Sequence, residues 1–357
     1  MGYPKLTINQ EIMSRNIKSV LDMCDNTGIR VAGVIKGVNG LRGITEIVIN
    51  SGVKIIASSR LCQLRQAREI NPDIETYALR VPMLSEIEEL VDSADISLNS
   101  DLKVIREINR VCLEKGQTHK VIIMVDLGDL REGIMEDEEL KETVRVVEEE
   151  LSAVHLLGVG TNLGCYGSIL PTVEKMNELI DRAHFIEEVI GRKLEIISGG
   201  ATTSFPLVAR GEMPEEINEL RIGDGLYVSD LDDCFKYEMH DEEALILQAE
   251  IIEIKDKPSH PIGEIAVNAF GDKEVYEDRG IRKRALIAVG RQDIGDYHHI
   301  LPLDKEMEVI GGSSDHTIID IEDCQKKYEV GDILKFHIMY GSMMMCTQSE
   351  YVEKEYI

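Results

Sequence analysis

Arg30-Val31-Ala32-Gly33-Val34-Ile35-Lys36-Gly37-Val38-Asn39-Gly40 is a short apolar run that ends on a lysine and breaks at once into glycines. Consecutive apolar residues mean a strand buried on both faces, the condition of a parallel α/β sheet. A lysine at the carboxyl end of such a strand stands where α/β barrels keep their reactive groups. Partial desolvation lowers a lysine's pKa, and a neutral amine can form a Schiff base with a carbonyl compound. Taken alone the residue better fits a lysine reaching out to solvent, so the rest of the chain must shift the balance.

Seven further runs repeat the pattern: Val53–Ser58, Thr76–Val81, Ile96–Asn99, Lys120–Asp126, His155–Thr161, Leu194–Ser198 and Leu220–Gly223. With Val31–Lys36 they make eight strands. Helical patterns lie between them. Glu138–Leu151 carries Leu140, Val144 and Val147 at helical spacing, and Pro171 opens a helix with Met176, Leu179, Ile180, Ala183 and Ile186 on one stripe. Eight strands alternating with helices predict a (β/α)8 TIM-type barrel. The character changes near residue 237. Ala244–Lys255, Arg284–Val289, Met307–Ile310, Thr317–Ile321 and Ile333–Met339 are strand-like and separated by Gly, Pro and Asp turns. The expectation is an α/β barrel over residues 1–236 and a mostly β domain over 237–357, with Lys5–Asn9 a strand of either.

The chain's 357 residues suit two domains, and 43% hydrophobic content suits full interiors. No apolar run approaches a bilayer-spanning length, and Met1-Gly2-Tyr3-Pro4-Lys5 lacks the pattern of a secretory signal. The seven cysteines (Cys24, Cys62, Cys112, Cys165, Cys234, Cys324, Cys346) are scattered, with no CxxC pair. They read as reduced thiols of a cytoplasmic protein, mostly filling the core. A formal charge of −27 argues against nucleic acid and against an anionic membrane as partners. An acidic field would favour a cationic small molecule over an anionic one, but an acid-rich soluble surface is the better explanation of the charge.

Several strand ends carry suggestive groups. Asp126-Leu127-Gly128-Asp129-Leu130-Arg131-Glu132-Gly133 follows the fifth strand. Ser198-Gly199-Gly200-Ala201-Thr202-Thr203-Ser204 follows the seventh, and Arg221-Ile222-Gly223-Asp224-Gly225 the eighth. Small, glycine-rich loops after strands seven and eight are the usual phosphate cradle of such barrels, because bare backbone N–H groups can approach the anion. Together with a lysine after strand one they point to a phosphorylated aldehyde cofactor, pyridoxal phosphate.

With these residues in place, the chain resembles the alanine racemase-like (fold type III) family of pyridoxal phosphate enzymes over nearly its whole length. The stretches Met124–Gly133, Ser198-Gly199-Gly200, Gly290-Arg291-Gln292-Asp293 and Ser313-Ser314-Asp315-His316 look most like its ornithine racemase branch. The resemblance implies a barrel joined to a C-terminal β domain and a homodimer with shared active sites. Lys36 matches the lysine that carries the cofactor and then serves as base on one face of the substrate Cα. Arg221 matches the arginine facing the pyridine nitrogen. A guanidinium cannot accept a proton there, so the ring stays a weaker electron sink, which suits racemisation better than transamination. Thr202, Gly223 and Asp224 match phosphate contacts, the last two through backbone N–H groups, and Ser198 and Thr203 stand beside them. Arg131 matches the arginine near the cofactor's phenolic oxygen and the substrate carboxylate. Asn162 falls where alanine racemases stack a histidine on the ring, and Tyr351 fits a tyrosine near the phosphate.

The departures concern the substrate. Gly40 stands where alanine racemases have an aromatic residue, and Met124 where they often carry a carbamylated lysine that orients the arginine. Arg131 must then be held by another group, with Asp126 and Asp129 the nearest. The missing bulk suggests a substrate longer than alanine. A terminal amine on it would need a carboxylate, for which Asp293 and Asp315 are the candidates, with Ser314 beside them. The partner-supplied tyrosine base of alanine racemases corresponds to the Gly290–Asp293 stretch. Arg291 is too basic for that role and instead suits a substrate carboxylate. The second proton carrier is one of His316, Tyr340, Cys346 and Tyr351, or a water. The resulting expectation is a racemase interconverting L- and D-ornithine, and lysine as an alternative substrate, with no metal. An alanine or broad-specificity racemase, a D-threonine aldolase or D-serine dehydratase-like lyase, and a non-catalytic pyridoxal phosphate carrier are the rivals.

Overall fold

A computed structural model describes residues 2–229, 237, 239–271, 273 and 275–357. The chain forms two compact units, Met13–Met239 and the pair of segments Met1–Ile12 and His240–Ile357.

Strand β1 (Lys5–Ile8) belongs to the second unit. In the first unit β2 (Arg30–Val34), β3 (Ile55–Ser58), β4 (Glu75–Ala78), β5 (Ile96–Asn99), β6 (His119–Met124), β7 (Val154–Gly160), β8 (Ile196–Ser198) and β9 (Glu219–Ile222) run parallel and close into a barrel. All eight strands expected from the sequence are present. Every second residue points inward, and Ala32, Val34, Ile55, Ala57, Tyr77, Ile96, Leu98, Ile122, Met124, Leu157 and Ile196 fill the interior. Helices cover the outside, which is why the strands read as unbroken apolar runs. The helix Val173–Ile190 buries Met176, Leu179, Ile180, Ala183 and Ile186, the stripe expected of it. Its start is capped by Thr172, whose hydroxyl accepts from Lys175 N–H. At the amino ends of the strands, Arg30 pairs with the fully buried Glu219 at 2.6 Å and Lys120 with Glu75 at 2.8 Å. The opposite end of the barrel is left for the loops.

The second unit is a mostly antiparallel sheet of β10 (Leu245–Pro258), β11 (Ile281–Ile287), β12 (Ile300–Pro302), β13 (Glu308–Gly312), β14 (Thr317–Asp320), β15 (Ile333–Ile338) and β16 (Glu353–Tyr356). The order is β12-β15-β10-β11-β14-β13, with β1 antiparallel to β10 and parallel to β16. Along β10 the buried Leu245, Leu247, Ala249 and Ile251 alternate with more exposed neighbours. A helix, Tyr340–Gln348, follows β15.

Two expectations need correction. Of the cysteines, Cys24, Cys112 and Cys346 are buried, but Cys62 and Cys165 are exposed and do not fill the core; Cys234 lies outside the described residues. The expectation of open room at Gly40 also changes, because the position is closely packed. A Cβ there would lie 2.6 Å from Gln63 Cγ, and Met124 is fully buried in the barrel interior. Missing bulk at these two positions therefore does not by itself open space for a longer substrate. Among the described residues, no helix is long and apolar enough to cross a membrane.

Candidate active site

Strand β2 stops at Val34, two residues before the position read from the sequence. Lys36 opens a tight turn, Lys36–Val38, closed by Asn39 N–H on the Lys36 carbonyl at 3.1 Å. The buried Tyr227 hydroxyl donates to Val34 C=O at 3.1 Å and fixes the end of the strand from below the turn. The lysine amine makes no hydrogen bond or ion pair to any described residue. The residue as a whole is exposed, yet neighbouring protein atoms partly desolvate it. That desolvation lowers its pKa below the ordinary lysine value, Arg131 and Arg221 push the same way, and Cys165 and Glu132 oppose. Three cations thus gather at the carboxyl ends of the strands in a chain of net charge −27.

Arg221, on β9 beside the lysine's strand, is buried. Its guanidinium donates to the Ser198 hydroxyl and, at 2.6 Å, to the Thr161 carbonyl. These bonds hold the side chain in one pose and leave further donors for a ligand. The turn Thr202–Ser204 and the turn Asp224–Leu226 meet through the Thr202 hydroxyl, which accepts from Gly223 N–H at 3.1 Å and Gly225 N–H at 3.4 Å. The Gly223 N–H is therefore engaged, while the Thr202 hydroxyl keeps a hydrogen to offer. Thr203 donates to the Leu163 carbonyl at 2.9 Å and ties the seventh-strand turn to the preceding loop. Around this cradle, Thr161 Oγ1, Asn162 Nδ2 and Ser204 Oγ are buried without a hydrogen-bond partner. Buried polar atoms seldom stay unpaired, so the loop set fits a polar ligand. An amine without a partner, a buried guanidinium and a hydroxyl-lined turn together suit an aldehyde that carries a phosphate.

The loop after β6 is tightly knit. Ile134 N–H bonds Met124 C=O at 2.8 Å and closes it, and a Cβ on Gly133 (φ +131°) would lie 2.4 Å from Asp126 N. Asp126 accepts from the N–H groups of Gly128 and Leu130. The buried Asp129 accepts from Gly164, Tyr166 and Ile169 at 3.0–3.3 Å, and so pins the loop after β7. Burial opposes its ionisation, but these N–H groups outweigh that and hold the carboxyl below its ordinary value. Neither aspartate holds Arg131, contrary to the expectation. The neighbouring Glu132 does, in a forked pair through Nε and Nη2. Glu132 and Cys165 are the residues the sequence reading left without a role here. A carboxylate next to the arginine was the available signal for the first; nothing local marked the second.

The other candidates lie in the second unit. Gly290 packs so closely on the Ser313–His316 loop that a Cβ would sit 2.4 Å from Ser314 O. Arg291 N–H bonds Ser313 O at 2.8 Å, and the Arg291 guanidinium lies over the Phe270 ring at 3.9 Å. This brings Arg291, Ser314, Asp315 and His316 together. The last three are exposed, with the Ser314 hydroxyl on Asp315 at 2.6 Å. Tyr340 begins its helix half-buried, and Tyr351 is exposed. Two candidates are withdrawn. Cys346 is fully buried, and burial with the nearby Asp293 pushes its thiol up to about 12, which disqualifies it as a proton carrier. Asp293 is itself buried and accepts the Ser349 hydroxyl at 2.5 Å, so it offers no carboxylate to a substrate.

Residues 8–230 match the family model described as alanine racemase, N-terminal domain. The chain belongs to this family. It is 38% identical over 355 residues to an ornithine racemase of Acetoanaerobium sticklandii, covering 99% of both chains. It is 35% identical over 357 residues to a lysine racemase of Thermotoga maritima, covering 100% of this chain and 99% of that one. Among solved structures, an alanine racemase of Clostridium difficile 630 superposes with a TM-score of 0.74 at 18% identity, covering 100% of this chain and 96% of that one. That likeness is one of fold, and it spans both the barrel and the β domain.

Proposed function

We propose that this protein is a pyridoxal phosphate-dependent amino-acid racemase that interconverts the L- and D-forms of ornithine, with lysine as the alternative substrate. The observation that carries the reading is Lys36: an amine without a partner, its pKa lowered, flanked by Arg131 and Arg221. The names of the two full-length relatives support the substrate class. When bound, the cofactor would acidify the substrate's Cα–H. Lys36 would hold its aldehyde, and the Thr202 hydroxyl with the loops at 202–204 and 223–225 would hold its phosphate. Asn162 would lie beside it with an unpaired amide to offer. Arg221 would offer only N–H donors to a ring nitrogen and would so disfavour its protonation.

Lys36 then moves the proton at Cα on one face. It must be neutral to do so, and the desolvation that lowers its pKa raises the neutral fraction near pH 7. Arg131 binds the substrate's α-carboxylate. The opposite face needs a second carrier, for which His316, Tyr340 and Tyr351 remain. The reading includes a cytoplasmic homodimer whose partner supplies that residue. The exposed apolar side chains of Ile262, Val267 and Val275 would gain cover from a second copy.

The test is to incubate the purified protein with pyridoxal phosphate and single L-amino acids and follow optical activity. Inversion of ornithine and lysine well ahead of alanine is expected, and Lys36→Ala should abolish it. No inversion of any amino acid would contradict the reading.

A further inference from the structure

The Arg131–Glu132 pair bears on which amino acid enters. Side chains of consecutive residues diverge in extended chain, but here Leu130 (φ +59°) and Gly133 (φ +131°) bend the backbone on either side, and both side chains meet. Glu132 is 17% exposed and Arg131 40%. A forked pair of this kind opens at little cost only if a ligand returns an opposite charge to each member. Glu132 also lies within electrostatic reach of Lys36. The neighbouring carboxylates are committed elsewhere, Asp126 and Asp129 to backbone N–H groups. Glu132 is thus a carboxylate at this mouth whose cationic partner an incoming ligand can replace.

A neutral amino acid would bring a carboxylate for Arg131 and strand Glu132, half-buried and without a cation. A dibasic amino acid brings a carboxylate and a distal ammonium, so both members of the pair regain an opposite charge. We propose that the Arg131–Glu132 ion pair is an exchange device that selects dibasic substrates: the substrate's α-carboxylate takes Arg131, and its side-chain ammonium takes Glu132. This rests on the racemase reading above and assigns its side-chain specificity to a residue of the barrel.

The experiment compares L-ornithine with L-norvaline, which has the same carbon chain but no terminal amine, in the wild-type holoenzyme and in Glu132→Gln and Glu132→Asp. Steady-state kinetics and calorimetric binding are measured on the same samples. Glu132→Gln is expected to lower kcat/KM for ornithine by about 10- to 100-fold, mainly through KM, and to weaken ornithine binding in step. Norvaline should hold or improve, and Glu132→Asp should restore part of the preference. A parallel fall for both substrates, with their ratio unchanged, would show that Glu132 only orients Arg131 and would overturn the proposal. So would ornithine kinetics indifferent to Glu132→Gln. Failure of the wild-type holoenzyme to turn over any amino acid would overturn the racemase reading and this proposal with it; wild-type turnover with an unchanged ratio overturns this proposal alone.

Discussion

Lys36 and His119 are both nitrogen bases held toward neutrality, one at the barrel's mouth and one in its wall. Replacing Lys36 by alanine should remove any borohydride-reducible attachment of pyridoxal phosphate, read by mass spectrometry after reduction; a label on another residue of the variant would contradict the assignment. His119 concerns stability. Its Nε2 lies 2.8 Å from Ser97 Oγ, and burial pushes its pKa down to about 4 from 6.5. Well above pH 6.5 neither the folded nor the unfolded state binds this proton, and the stabilisation is complete. As pH falls from 6.5 toward 4, the unfolded chain takes up a proton that the folded chain refuses, and stability drops by about 3 kcal/mol. Denaturant melts of His119→Gln at several pH values should lack this part of the slope, and a slope equal to wild type would count against the buried neutral imidazole. Lys36 was legible because it ends an apolar run. His119 was not, because its burial depends on Ser97 and the strand beside it.

At the scale of elements, the barrel strands were legible because helices outside and packed side chains inside bury both faces of each one. Their ends were less so: the sequence reading carried β2 through to Lys36, whereas the chain turns after Val34. In the second unit β16 (Glu-Lys-Glu-Tyr) has no apolar signature, since pairing with β1 rather than burial makes it a strand. The helix Tyr340–Gln348 carries three methionines in a row and no clear stripe, and it escaped notice for that reason. The site loops depend on Asp129, whose Oδ1 accepts from Gly164 and Ile169 and whose Oδ2 accepts from Tyr166. Asp129→Ala would leave these donors without their charged acceptor. It should cost about 2–4 kcal/mol and speed hydrogen exchange across residues 164–169. Unchanged protection there would show that the loop is held by other bonds.

For the whole molecule, the contrast between a net charge of −27 and a cationic barrel mouth is the informative feature. On the proposed reading the acidic surface would favour a dibasic amino acid, while the mouth would receive its carboxylate and the cofactor's phosphate. The second-unit group of Arg291, Ser314, Asp315 and His316 gains a purpose if two chains share their sites. Sedimentation equilibrium should then give twice the chain mass, and dilution to monomers should abolish turnover; a fully active monomer would contradict the homodimer. The central claim is proton exchange at Cα, and the most direct measurement is incubation of the holoenzyme with L-ornithine in D₂O, following chirality and Cα deuteration together. Formation of D-ornithine with deuterium at Cα is the expected result. Ornithine that keeps both its configuration and its Cα hydrogen would contradict it.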